Sequence, residues 1–379
     1  MKGKITFLNV VFFLMFLMSV TGIAYGHERE KMIAQFDRFD FAINSGQGHS
    51  KKTNEANVLS WAESYLLEAY LVMYEATGNK KYIEKFVSQA EDVYNTTDKQ
   101  RGIKDYTGRM RSGWGTTKGS KGKVSVVTIL GTGMIAHPLV KFAALVKERK
   151  ELADYRGVAG KYIGLAEEAV AEFNDQWWMD RVSGQGYYRM RGDEPNKAVR
   201  NAAIAFNGTM GIGRVLILLY QVTGKNEYLV KSKALALTLR NNLSLGKNNS
   251  YVWGYRPGKG RLEDISHGAI DVEFVTEAAK NDIVFSRNDL ERFANTLLNT
   301  YQGKNNRFSV FVDGSDDRKG SDFSNAAARW LDLCTVNCNV YRVVYKYNSA
   351  KLQNSQREHP GVMLGLAKMI KYHGLCPVT

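Results

Sequence analysis

Tyr74-Glu75-Ala76-Thr77-Gly78-Asn79-Lys80-Lys81-Tyr82 returns 146 residues later as Tyr220-Gln221-Val222-Thr223-Gly224-Lys225-Asn226-Glu227-Tyr228. Before the first copy, Leu59, Ala62, Leu66, Leu67, Tyr70, Met73 and Tyr74 recur at intervals of three and four, the period of a helix face. After it, Tyr82 to Tyr94 is a second amphipathic run. The Thr-Gly pair suits a helix C-terminus whose glycine adopts the left-handed conformation. Each copy therefore reads as the join of a helical hairpin, and the pair as an internal repeat.

Working outward, helical patterns occupy Met134 to Lys150, Tyr155 to Trp178, His267 to Ala279, Asn288 to Tyr301, Asp322 to Leu333, Val340 to Tyr347 and Pro360 to Tyr372. Residues 27 to 56 read as a polar lead-in, and short strands are expected only at Gly186 to Met190 and Phe308 to Val312. The hairpins are too long and irregularly spaced for an open superhelix, whose repeats run about 34 to 47 residues. They predict an all-α fold, an (α/α) toroid of about five to seven hairpins, in one domain spanning residues 27–379.

Residues 1–26 read as a signal peptide. Lys2 and Lys4 precede the apolar run Ile5 to Val20, and Ala24-Tyr25-Gly26 supplies small residues before a cut at His27. No other run approaches the roughly 18 apolar residues of a membrane span, so the expectation is an exported chain, periplasmic or secreted, without a stable membrane anchor. The formal charge is +14, or +12 after loss of Lys2 and Lys4 (50 basic against 38 acidic residues). Such an excess attracts polyanions; for an exported protein the expected partner is an acidic polysaccharide rather than nucleic acid. Of three cysteines one stays unpaired: Cys334 can join Cys338 or Cys376, or all are small buried residues. With His359 and His373 they complete no zinc pattern.

The inter-helix stretches are basic and aromatic. Residues 99 to 123 hold Lys99, Arg101, Lys104, Arg109, Arg111, Lys118, Lys121 and Lys123 against Asp105, with Tyr106 and Trp114 among them. A second stretch carries Tyr187, Tyr188, Arg189, Arg191, Lys197 and Arg200. The densest runs from Tyr251 through Tyr255 and Arg256 to Arg261-Leu262-Glu263-Asp264-Ile265-Ser266-His267-Gly268-Ala269-Ile270-Asp271. Ser266 is the expected N-cap there, placing His267 in a first helical turn. Candidate substrate contacts are Trp61 as a sugar-stacking platform, Glu63, Tyr106, Arg109, Trp114, His137, Tyr187, Tyr188, Arg191, Arg261, Glu263 and Asp264. Asn207 reads equally as an N-cap and as a site residue. Val124 to Ala136 imitates a dinucleotide fingerprint, Gly131-Thr132-Gly133, but no second strand ending in an acid follows about 20 residues on. Its glycines are expected instead to allow a close approach at a helix start.

The Tyr-x-x-Thr-Gly-x-x-x-Tyr joins, the basic-aromatic loops and the segment Glu263 to Asp271 resemble the α/α-toroid polysaccharide lyases that act on uronate polymers such as alginate or glucuronan. The adjoining Asn-His pair of some alginate lyases is absent, so Asn207 and His267 would have to meet in space. The resemblance implies β-elimination: neutralisation of the C6 carboxylate, a base for the C5 proton and an acid for the departing O4. Tyr255 is the expected base and acid, His267 a second base or neutraliser, with Asn207 and Arg256 completing the catalytic set; no metal and no cofactor is called for. Two alternatives remain open: a toroid glycoside hydrolase working with two carboxylates, and a non-catalytic protein that binds acidic glycans.

Overall fold

Thr77 and Thr223 end their helices identically. Each hydroxyl donates to a carbonyl four residues back, Met73 at 2.7 Å and Leu219 at 2.6 Å. Each following glycine, Gly78 at φ 69° and Gly224 at φ 73°, is left-handed and donates its amide to Tyr74 or Tyr220 at 2.8 Å. A side chain here would strain the backbone, which is why glycine recurs.

This computed structural model describes residues 26–118, 124–258, 260–352 and 360–376. The expected signal segment, save residue 26, lies outside the described residues, as do Lys121, Lys123 and His359. Among the described residues, twelve long helices alternate between two layers. The inner layer comprises α2 (Ser64–Thr77, entered through a π-helical turn Leu59–Glu63), α4 (Ile129–Glu148), α6 (Phe206–Thr223), α8 (Ile265–Lys280), the 3-10 helix α10 (Ser324–Thr335) and α12 (Pro360–Tyr372). The outer layer comprises α1 (residues 26–42), α3 (Lys81–Tyr94), α5 (Arg156–Ala171), α7 (Asn226–Arg240), α9 (Arg287–Thr300) and α11 (Asn339–Leu352). Each inner helix packs on the next, and α12 closes back on α2, so the ring has six hairpins.

Inner helices touch neighbours on both sides and an outer helix behind, so they are apolar nearly all round. α4 is long and apolar enough to cross a membrane, contrary to the expectation that no run past the signal segment would be; 89% of its apolar window is buried inside the ring. The fingerprint-like glycines serve this packing. Thr128 caps α4 by accepting from Gly131 N at 3.1 Å, and a Cβ on Gly133 would lie 2.5 Å from Ile212 N on α6.

Inner helices run into outer ones through short turns, whereas outer helices from α1 to α9 return through long connections. The inner N-termini therefore share one end, here called the mouth, with all the long connections. Three two-stranded antiparallel hairpins stiffen them: β1 (Trp177–Met179) with β2 (Gly186–Tyr188), β3 (Ser244–Leu245) with β4 (Tyr251–Val252), and β5 (Tyr301–Gln302) with β6 (Arg307–Phe308). The helix expected to reach Trp178 ends at Ala171, because its aromatic residues pair as β1. The disulfide joins Cys338 to Cys376, and the buried Cys334 stays free, so Cys334 is not the bridging partner.

Candidate active site

A cleft crosses the mouth in two lobes of about 300 Å³ and 340 Å³, and the Trp61 indole borders both. The first lobe is lined by Thr128 and Gly131 at the start of α4, and by Met190, Arg191 and Glu194 from the connection into α6. The second is lined by Tyr65, Ser266, His267, Asp322 and Arg329. A basic-aromatic pocket of about 480 Å³ shares Gln176, Met190 and Arg191 with the first lobe, extending the groove over Arg109, Trp178 and Arg189. There Arg189 stacks on Trp178 at 4.9 Å and donates to the Tyr187 hydroxyl at 2.8 Å.

The chemical centre of the second lobe is a His-Asp pair. Asp264, not Ser266, is the N-cap of α8: its Oδ1 accepts from the amides of Ser266 at 3.0 Å and His267 at 2.9 Å. Its Oδ2 lies 2.6 Å from His267 Nδ1. A carboxylate can only accept, so Nδ1 carries the proton and Nε2 is the basic nitrogen. Burial opposes ionisation of Asp264, but the hydrogen bonds from the His267 ring and the two amides outweigh it and hold the carboxyl below its ordinary range. The Tyr255 ring lies 5.6 Å from that of His267, with Arg261 stacked over it at 4.1 Å.

Facing lobe one, Glu194 is half-buried, and burial pushes its carboxyl up; the Arg191 charge opposes this and Asp193 adds to it. Tyr106 is tied to this group through Asp193 at 3.2 Å, and burial with the charges of Glu194 and Asp193 raises its phenol to about 12.

Other expected site residues lie elsewhere. Trp114 is fully buried, its indole donating to Val93 O at 3.0 Å. Tyr188 is equally buried, packed on Trp177. Glu63 turns into the outer layer, accepting from His49 N, and burial raises it to about 8. His137 sits along α4 beside Glu68 in a cavity at the opposite end of the ring. Asn207 is the second residue of α6, whose N-cap is Ala205; its buried amide has no hydrogen-bond partner and does not line the cleft. Tyr255 and α6 do meet, but through the backbone, Phe206 N to Tyr255 O at 3.0 Å. Arg256 is exposed and reaches Ala203 O at 3.4 Å.

Glu263 is fully buried beneath α8, against Asp271. Burial and the charges of Asp271 and Asp264 push its carboxyl well up, while burial raises Asp271 to about 8 despite a 2.9 Å hydrogen bond from Trp253 Nε1. Among the described residues, Glu263, Asp264 and His267 are the group able to hold a metal ion, with ligand atoms within 4.8 Å of one another. Sequence reasoning missed Glu194, Asp322 and Arg329. The available signal was a charge, Arg329, between the apolar residues Ala326 to Ala328 and Trp330 to Leu331.

No family model and no curated protein sequence matches the chain. Solved structures do. A D-mannose isomerase aligns at TM-score 0.57 and 10% identity, over 91% of this chain and 97% of that one. The GH76A α-1,6-mannanase from Salegentibacter sp. aligns at TM-score 0.53 and 12% identity, over 92% and 100%. The cellobiose 2-epimerase from Spirochaeta thermophila aligns at TM-score 0.52 and 13% identity, over 84% and 87%. These likenesses make the chain an α/α toroid.

The expected uronate lyase, with its alginate and glucuronan substrates, is corrected by the same findings: these similar structures are a hydrolase, an isomerase and an epimerase. The site gives a physical reason. An eliminating tyrosine needs its phenol lowered by cations, whereas burial and Glu263 push Tyr255 up, and Arg261 and Arg256 offset this only in part.

Proposed function

We propose that this chain is an exported glycoside hydrolase that cleaves a polysaccharide laid across the mouth. The observation that carries the reading is the pairing of Glu194 and the Asp264–His267 pair in two lobes that share Trp61. A sugar stacked on Trp61 has a carboxyl with raised proton affinity on one side and an imidazole base on the other. Glu194 then protonates the departing glycosidic oxygen, while His267 Nε2 takes a proton from the water attacking the anomeric carbon. Asp264 fixes the imidazole tautomer and stabilises the imidazolium that forms. Attack by water in one step inverts the anomeric centre.

The toroid likeness to the Salegentibacter mannanase supports a glycan substrate; an inactive variant of that enzyme, with two adjacent aspartates replaced by asparagine, was solved with α-1,6-mannotriose. This chain has one adjacent aspartate pair, Asp316-Asp317, and it is committed to Arg307 and Ser321. Its acid and base are therefore assigned to other residues. The apolar N-terminal segment and the Cys338–Cys376 disulfide support export to an oxidising compartment.

The test is incubation with neutral and acidic polysaccharides while following reducing ends. New ends that disappear in Glu194→Gln and in His267→Ala support the reading, and their absence on every polysaccharide would end it. One observation favours a second reading, a sugar isomerase or epimerase: the His267 base lies beside a Tyr255 phenol held protonated, a pairing suited to moving a proton next to a carbonyl. Its products would keep their chain length and change only configuration.

A further inference from the structure

Arg329 lines the second lobe of the cleft from α10 and is 4% exposed. Its guanidinium donates to the Tyr65 hydroxyl at 2.9 Å, to Ser266 O, and to Ser266 Oγ at 3.3 Å. It also lies over the Tyr65 ring at 5.2 Å. All of these partners are neutral. Among the described residues no carboxylate lies within ion-pair reach of it, whereas the two other most buried arginines are paired, Arg111 with Asp105 and Arg214 with Glu273.

Two carboxylates on or beside α10 are already taken: Lys368 bonds Glu273 at 3.0 Å and Asp332 at 2.8 Å, and also holds Arg329 O at 2.9 Å. Asp322, the carboxylate lining this lobe, is engaged with the backbone at the start of α10, accepting from Ser324 N at 2.9 Å. A guanidinium cannot shed its proton, and an uncompensated buried charge is costly. The open side of Arg329 is the cleft itself, beside the amino end of α8, which also favours negative charge.

We propose that the lobe containing Arg329 is an anion subsite that takes an oxyanion substituent of the glycan, a carboxylate or a sulfate. The substrate class is then an anionic polysaccharide, read at one sugar by a guanidinium charge held in place by Tyr65 and Ser266. This rests on the glycan reading above and narrows it.

The experiment titrates the full chain with three sets of oligosaccharides of equal length: uronate oligomers, the same oligomers with carboxyl groups reduced to alcohols, and sulfated neutral oligomers. One anionic set should bind at least about tenfold more tightly than its neutral counterpart, a factor typical of one charged contact. That preference should vanish in Arg329→Met and persist in part in Arg329→Lys. Which anionic set shows it identifies the group. If Arg329→Met does not fold, the wild type still decides: added salt should weaken the favoured set and leave the neutral one unchanged. Equal affinity for charged and neutral sets overturns the anion subsite, as does a preference that survives in folded Arg329→Met. Cleavage of neutral oligomers in that case leaves the hydrolase standing, whereas no binding or cleavage of any set overturns both.

Discussion

The two ends of the toroid hold similar charges and treat them oppositely. At the short-turn end, a cavity of about 350 Å³ is lined with acids, of which Glu68, Glu75, Glu273 and Asp332 each meet a base. Lys368 bridges Glu273 and Asp332, Lys141 meets Glu68 at 3.3 Å, and Lys371 meets Glu75 at 3.1 Å. At the mouth, among the described residues, Arg329 has no acid within ion-pair reach, the Asn207 amide has no partner, and Glu263 and Asp271 crowd each other. Neutralised buried charge holds a fold together, whereas uncompensated buried charge is a cost that a ligand can relieve. The difference separates the end that stabilises the ring from the end that meets substrate.

Four substitutions would break or sharpen that contrast. The largest effect is expected from Lys368→Met, which takes from Asp332 its ion-pair partner and leaves Glu273 to Arg214 alone: about 3 to 5 kcal/mol of stability lost in urea denaturation. A loss below about 1 kcal/mol would mean the paired end is not the stabilising one. His267→Ala should lower kcat by roughly 10²- to 10⁴-fold while leaving the melting temperature nearly unchanged, as expected of a half-exposed mouth residue.

Asp271→Asn tests the strained carboxyl pair through pH. The folded chain holds the Asp271 proton up to about 8, whereas the unfolded chain releases it near the ordinary 3.8. The wild type therefore binds more protons folded than unfolded within that window. Its stability is fully present below the lower value and is lost as pH rises through the upper one. The asparagine can still accept from Trp253 Nε1, so thermal scans of the variant should show a smaller fall between pH 5 and 8. An equal fall in both proteins would refute the pair. Smallest is Trp61→Ala, expected to raise KM by roughly tenfold with kcat little changed, since a stacking platform binds ground and transition state alike. A drop confined to kcat would give Trp61 a different role.

Ring and hairpins were legible because helix period and helix stop are local signals. The Thr77-Gly78 and Thr223-Gly224 joins carry their own hydrogen bonds, and nothing distant is needed to recognise them. Asp264 and His267 were legible as a segment, since a cap and a first turn lie within four residues. What failed was facing. Trp114, Tyr188 and Glu63 have the composition of site residues, but burial depends on which neighbour covers them. Arg329 bonds Tyr65 across 264 positions, and no local pattern announces such a contact. The reaction was misread for the same reason: a lowered tyrosine was inferred from nearby cations, without the burial and the Glu263 charge that raise it.

The central claim is tested most directly by the stereochemistry of the product. Proton NMR of the first sugars released from a cleaved oligosaccharide should show new reducing ends of the inverted anomer, with no unsaturated residue, and none from Glu194→Gln. Products of unchanged chain length, or an inverted product released at the wild-type rate by Glu194→Gln, would contradict it.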